Sequence, residues 1–288
     1  MKCKICKSAK NKIFINGNIK ILKKNIIDVK CTSMSHAIKP TLYKCINCKI
    51  VFSQFLNHKF EKLYKDVIDE EYLNQIKIKK KYFKNFINII KNHINPNDEV
   101  LEVGSYYGVL GSLLKEKVKH YEGIEFSKYA SMYAKKNYNL KIKSRYSQIK
   151  KKFNLIILCD VIEHVDNPLP FIKKLKSFLR KDGKIILSTM NIDSIYAKFL
   201  GKNYPWIMPM HKFYFSFTSM NHILKIEKLK IIEYFYDQKI TSLAYIIKKI
   251  LNIFFSVKKI KKNNFFIEFL NKIYLKINFF DLVIFVIK

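Results

Sequence analysis

The sequence predicts an α/β fold: a mainly parallel sheet with helices on both faces, preceded by a small cysteine-bearing module. Three observations predict it. From about residue 98 to residue 190, short apolar runs alternate with stretches of helical period. One of those runs, Asn154 to Cys159, is apolar at nearly every position, as a strand covered on both faces must be. Ahead of the alternation stand two Cys-x-x-Cys pairs, Cys3/Cys6 and Cys45/Cys48, with 38 residues between them.

The elements follow in order. Residues 1–55 read as short strands around the cysteine pairs, with Gly17 in a turn, and form the first module. Residues 56–95 read as a helical linker, because Ile87, Ile90 and Ile94 recur at spacings of three and four from a pattern that starts near Glu61. Asn95-Pro96-Asn97-Asp98 breaks it. Residues 96–288 then form the main domain. Val100–Val103 is its first strand and Gly108–Val118 its first helix. Tyr121–Glu125 is the second strand, and Ser127 caps the next helix. Leu140–Ile142 is a weak third strand and Asn154–Cys159 a strong fourth. Pro168 opens a helix expected to end near Lys181-Asp182-Gly183, and Lys184–Thr189 is the fifth strand.

Charge and composition narrow the function classes. The formal net charge is +33 over 288 residues, and nearly half the residues are apolar, which excludes wholesale disorder. Only Arg145 and Arg180 are arginines; every other basic residue is a lysine. Base readers use the guanidinium fork, which is nearly absent here, so nucleic acid is disfavoured as a partner. A positive field favours anionic substrates and lipid head groups equally well. No apolar run of about 18 residues predicts a transmembrane helix. Met1-Lys2-Cys3-Lys4 has no apolar stretch behind it, so no secretory signal is expected and the location expected is cytoplasmic. In that compartment a disulfide framework is disfavoured. Two Cys-x-x-Cys knuckles instead offer Cys3, Cys6, Cys45 and Cys48 to a tetrahedral structural Zn²⁺. A redox pair is the competing reading, and Cys31 or His36 could replace one ligand.

Three acidic markers stand at strand ends, where open parallel sheets bind ligands. Glu102 precedes a glycine loop, Gly104-Ser105-Tyr106-Tyr107-Gly108, that meets the first helix. Glycine there lets the backbone turn and approach a ligand closely. The loop is neither the dinucleotide fingerprint nor a phosphate loop, and a carboxylate at Glu102 suits a ligand carrying an amino group. Glu125 lies 21 residues past Gly104, the spacing at which a carboxylate holds ribose hydroxyls, and Phe126 beside it can cover an adenine face. Asp160 and Val161 follow the fourth strand in the run Asp160-Val161-Ile162-Glu163-His164-Val165-Asp166-Asn167-Pro168.

With these segments in place the sequence resembles the class I S-adenosylmethionine-dependent methyltransferases, in particular bacterial members that follow an N-terminal zinc ribbon. The residues that carry the resemblance are the glycine loop, Gly123–Ser127, Phe153–Pro168, Asp182–Thr189, and Gly201–Phe217 with Trp206 and His211-Lys212-Phe213-Tyr214-Phe215. The resemblance implies a Rossmann-like seven-stranded sheet of order 3-2-1-4-5-7-6. Leu229–Tyr236 would be strand six and Leu282–Ile287 an antiparallel strand seven. It implies S-adenosylmethionine as cofactor, bound by Glu102, Gly104, Gly108, Glu125, Phe126, Asp160 and Val161. One departure is clear: the acidic residue that the family often carries after strand three is missing from Lys143-Ser144-Arg145-Tyr146-Ser147.

Methyl transfer needs an acceptor aligned with the methyl and, for a hydroxyl, a base. His211 and His164 are the catalytic candidates, each with a packing role as its alternative. Tyr64 and Tyr72 in the linker either close over the cofactor or pack in the core. Residues 239–276 form an insertion in which Ile246, Ile247, Ile250, Leu251, Phe254 and Phe255 share one helical face flanked by lysines. Such a stretch either lies on an anionic membrane surface, making the protein peripheral there, or packs internally. The expected function is methyl transfer to a small-molecule acceptor, a sugar or a surface-glycan or lipid-linked intermediate. An RNA methyltransferase and a non-catalytic binding protein that keeps the fold are the alternatives.

Overall fold

The computed structural model describes residues 2–19, 30, 38–57, 60–244, 246–247, 269–270 and 273–288. Three short strands open the chain: β1 (Asn11–Ile15), β2 (Leu42–Cys45) and β3 (Val51–Ser53). Helices α1 (Glu61–Tyr64), α2 (Glu70–Asn74) and α3 (Ile76–Ile89) follow. Asp69 caps α2 by accepting the backbone N–H of Tyr72. The helical period read across Glu61–Ile94 is therefore real but broken into three pieces.

The main sheet begins with β4 (Glu99–Val103), α4 (Val109–Leu114), β5 (His120–Ile124), α5 (Lys128–Tyr138) and β6 (Ile142–Lys143). It continues through β7 (Phe153–Cys159), α6 (Pro168–Ser177), β8 (Leu179–Met190) and α7 (Ile195–Leu200). The last elements are β9 (Phe213–Tyr214), α8 (Phe217–Ile226), β10 (Ile231–Tyr236), β11 (Lys239–Ser242), β12 (Tyr274–Ile277) and β13 (Leu282–Ile287). The seven strands lie in the order β10-β13-β8-β7-β4-β5-β6. Counted along the chain, that is 3-2-1-4-5-7-6. β13 runs antiparallel to both of its neighbours, and the pairings from β8 through β6 are parallel. This is the Rossmann-like methyltransferase sheet. All six residues of β13 are buried, which suits a strand inserted between two others.

Two boundaries differ from expectation. The helix opened by Pro168 ends at Ser177, and the chain is in β8 by Leu179. Phe178 and Leu179 are buried and join the core, Leu179 pairs with Phe153, and Asp182-Gly183 falls in the register break that follows. The first helix is shorter than expected, ending at Leu114 before the charged run Lys115-Glu116-Lys117.

The cysteine-bearing segment is joined to the main sheet. β9, in the loop that leaves β8, extends β1-β2-β3 into a four-stranded antiparallel sheet, with Phe52 opposite Phe213 and Val51 opposite Tyr214. Cys3, Ile5, Cys45, Cys48 and Phe52 belong to the same buried cluster as Leu101, Leu158, Phe213 and Phe285. β11 and β12 pair as a separate ribbon at the base of the insertion. Ile250, Leu251, Phe254 and Phe255 of its apolar face, and Cys31 and His36 near the N-terminus, lie outside the described residues. Among the described residues, no helix is long and apolar enough to cross a membrane.

Candidate functional site

The site forms at the carboxyl ends of β4, β5 and β7. Gly104 (φ +76°) and Gly108 (φ +77°) take left-handed backbone, and Tyr106 between them does so without being glycine. A Cβ on Gly104 would stand 2.6 Å from Val161 Cγ2. The Val161 side chain therefore packs directly on Gly104 and brings the loop after β4 against the loop after β7. Gly108 also begins α4, and a Cβ there would meet Ala134 and Leu140, each at 2.7 Å.

Glu125 ends up beneath this loop with both oxygens engaged. Tyr106 N–H donates to Oε2 at 2.7 Å and Ser127 N–H to Oε1 at 2.6 Å. The residue is 2% exposed, and burial pushes its pKa up against the pull of those two N–H groups, the Tyr64 side chain and the Phe126 N–H. The last two also bond this carboxylate, so a ribose diol would take the place of the Tyr64 hydroxyl. Phe126 follows, 44% exposed at the strand end, and meets Tyr146 edge to face at 5.5 Å. Tyr146 stands where the acidic residue after strand three is missing.

Glu102 lies deeper. It is buried and accepts the Tyr121 hydroxyl at 2.5 Å. Burial raises its pKa to about 8 against that hydrogen bond, with Glu125 adding to the rise. The Tyr121 hydroxyl runs so close to Gly111 and Gly123 that a Cβ on either would reach it, at 2.2 and 3.0 Å. Asp160, at φ +53°, remains exposed and accepts Ser188 Oγ at 3.4 Å.

Sequence reasoning named Tyr64 and Tyr72 as closing over the cofactor or packing, but it missed Asp69 and the Tyr106–Tyr107 pair that they meet over the glycine loop. Tyr106 donates its hydroxyl to Asp69 Oδ2 at 3.0 Å, and Asp69 N–H donates to the Tyr107 hydroxyl at 2.9 Å. Tyr72 meets Tyr106 edge to face at 4.8 Å and stacks on Tyr107 at 5.2 Å, while Tyr64 stacks on Tyr106 at 6.1 Å. Helix α2 is thus fastened to the loop by aromatic faces and a buried carboxylate. The tyrosine pair inside a glycine loop was the available signal.

His164 and His211 come together although 47 positions separate them in sequence. Their rings meet edge to face at 4.6 Å. Desolvation holds His164 down at about 4, and burial holds His211 well below its ordinary value, so both are neutral at pH 7. Beside them Glu163 is fully buried, and burial with the nearby Asp160 charge raises it to about 8. Lys239 lies 3.4 Å above the Trp206 ring.

The four knuckle cysteines converge as well. Cys3 and Cys48 sulfurs are 3.5 Å apart, as are those of Cys6 and Cys45, and all four lie within 4.8 Å of one another. A tetrahedron with 2.3 Å Zn–S bonds spaces its sulfurs by about 3.8 Å, so the four thiols fit a four-coordinate metal. The knuckles match each other: Lys7 and Lys49 follow the second cysteine of each pair in left-handed backbone and donate N–H to Cys3 and Cys45 carbonyls.

A family model described as a methyltransferase domain matches residues 74–233. An uncharacterised protein of Methanocaldococcus jannaschii is 29% identical over 151 residues, covering 51% of this chain and 69% of its own length. Among solved structures, a S-adenosylmethionine-dependent methyltransferase of Thermotoga maritima aligns with TM-score 0.49 and 16% identity, over 79% of this chain and 96% of its own. One of Clostridium acetobutylicum aligns with TM-score 0.45 and 14% identity, over 80% and 95%.

Proposed function

The chain belongs to this methyltransferase-domain family, as a class I S-adenosylmethionine-dependent methyltransferase, and we propose that its acceptor is a sugar or a surface-glycan or lipid-linked intermediate. The observation that carries the cofactor assignment is Glu125, buried at the end of β5 and preset by the N–H groups of Tyr106 and Ser127 where a carboxylate would meet a ribose. The glycine loop fits as well, since Gly104 and Gly108 turn in left-handed backbone where β4 meets α4. When bound, S-adenosylmethionine supplies an electrophilic methyl group on a sulfonium.

The chain's own residues do the rest. Glu125 orients the ribose, Phe126 covers the adenine, and Gly104, Gly108, Asp160 and Val161 shape the floor. Glu102 acts from beneath, fixing β4 to β5 through Tyr121. His164 and His211, neutral and adjacent, are the candidate bases or acceptor contacts. A hydroxylated acceptor is supported by the two imidazoles, which can meet its hydroxyl groups. A lipid-linked acceptor is supported by an exposed apolar rim: Ile195 and Phe199 are 87% and 81% exposed, and Tyr196 between them stacks on Phe279 at 4.3 Å. The basic amphipathic sequence of the 239–276 insertion would suit an anionic membrane surface. Cys3, Cys6, Cys45 and Cys48 would hold one structural zinc.

Calorimetric titration with S-adenosylmethionine tests the cofactor site, and release of S-adenosylhomocysteine with lipid-linked glycan, free sugar or RNA fractions tests the acceptor. Turnover with RNA alone would replace the glycan reading. Cofactor binding without turnover on any fraction would favour a binding protein.

A further inference from the structure

The loops after β7 and β8 bring three ligand-type side chains to one point. A carboxylate oxygen of Glu163 and one ring nitrogen each of His164 and His211 lie within 4.8 Å of one another. Each imidazole turns Nδ1 to a backbone carbonyl, His164 to Met210 at 3.3 Å and His211 to Trp206 at 2.8 Å. A carbonyl only accepts, so Nδ1 carries the proton and Nε2 keeps the lone pair. This is how proteins orient a metal-binding imidazole.

Glu163 supplies an independent observation. It is fully buried, and its Oε2 accepts from Thr189 Oγ1 at 3.1 Å. Its Oε1 has no hydrogen-bond partner among the described residues. A buried acceptor left unpaired costs about 1–3 kcal/mol, which a bound cation removes. The neighbouring ammonium of Lys212 is already paired with Asp166.

We propose that Glu163, His164 and His211 bind a divalent transition-metal ion whose open positions take the acceptor's hydroxyl. Two imidazoles and one carboxylate select an ion of the manganese-to-zinc series over Mg²⁺ or Ca²⁺, which prefer oxygen shells. Three protein ligands leave coordination positions free, unlike the four thiols at the knuckles. The role of the ion rests on the methyltransferase reading. Coordination lowers the pKa of the hydroxyl, whose proton passes to water. An oxygen electron pair then bonds the methyl carbon as the carbon–sulfur bond breaks. That bond's pair stays on sulfur, giving S-adenosylhomocysteine.

The test is titration of the full-length protein with Mn²⁺, followed by electron paramagnetic resonance of the free ion, and with Co²⁺, followed by visible absorption. Thiolates bind Mn²⁺ poorly, so Mn²⁺ reports on this site and not on the knuckles. Wild type should bind one Mn²⁺ per chain. Glu163→Gln and His211→Asn should each weaken binding at least about 100-fold, since even changes behind the ligands cost 10–100-fold. S-adenosylmethionine binding by the same proteins without added metal reports on the fold. If either variant fails to fold, His164→Gln, at a half-buried position, decides. Wild type that binds S-adenosylmethionine but no Mn²⁺, taking up Co²⁺ only with the thiolate absorption of the knuckles, overturns the site, as do folded variants that bind Mn²⁺ like wild type. Metal binding without S-adenosylmethionine binding leaves the site standing and overturns the methyltransferase reading.

Discussion

Tyr121 donates its hydroxyl to the buried carboxyl of Glu102 across 2.5 Å, tying β5 to β4 directly under the glycine loop. The path of that hydroxyl exists because Gly111 and Gly123 carry no Cβ. Gly111→Ala should therefore destabilise the fold by about 1–3 kcal/mol, the usual cost of overpacking, although alanine is the better helix former. Denaturant unfolding of the two proteins measures it, and an unchanged or raised midpoint would contradict the contact.

The same carboxyl gives a pH dependence. The ordinary value for Glu102 is 4.5 and the folded value about 8. Between those limits the folded state holds a proton that the unfolded chain has released. Its contribution is complete below about pH 4.5 and is lost as pH rises through 8. Glu102→Gln should thus gain stability relative to wild type as pH rises from 5 to 9. Parallel midpoint profiles for the two proteins would count against a protonated Glu102.

Glu125→Ala should weaken S-adenosylmethionine binding by about 1–3 kcal/mol, the range for losing a charged hydrogen-bond partner, and should also loosen the Tyr106 turn that it holds. Calorimetry on the variant checks the affinity. Unchanged affinity would remove Glu125 from the cofactor site.

The positions of the main strands and the glycine turn were legible in the sequence because each rests on local pattern, while the strand order came from the resemblance. Apolar runs mark β4, β5, β7 and β8, and the glycine spacing marks the turn after β4. The resemblance supplied β13 as an inserted antiparallel strand. What escaped were contacts that only the folded chain makes. Nothing local to Asp69 signals that it meets Tyr106 and Tyr107. Glu163 stood in a quoted motif, yet its burial depends on Thr189 and on the backbone of Lys212 and Phe213, whose N–H groups donate to its carbonyl. The early start of β8 reflects apolar residues at Phe178 and Leu179 prevailing over a turn signal at Asp182-Gly183.

Asp69→Ala should remove the α2 cap and leave the buried Tyr106 hydroxyl unpaired. Cap loss costs about 0.5–2 kcal/mol and the orphaned hydroxyl about 1–3 kcal/mol. Hydrogen exchange should then quicken across α2 and the glycine loop together. Faster exchange confined to α2 would show that the two are not fastened to each other.

Purified protein should carry one equivalent of zinc after chelator-free preparation, and Cys48→Ser should lose it. Because Cys48 shares a core with Phe213, the damage should spread to β9. Elemental analysis and hydrogen exchange measure both. Less than about half an equivalent in wild type would remove the zinc assignment.

The pairing of Phe52 with Phe213 joins positions about 160 residues apart. A ribosome delivers the first long before the second. Through most of synthesis the β3 edge must wait without its partner, offering unpaired backbone and the Phe52 side chain to any other strand nearby. Early metal capture by the knuckles would hold β2 and β3 in register during that interval. Zinc supply while the chain is being made would then govern the yield of folded protein more strongly than zinc supply after release.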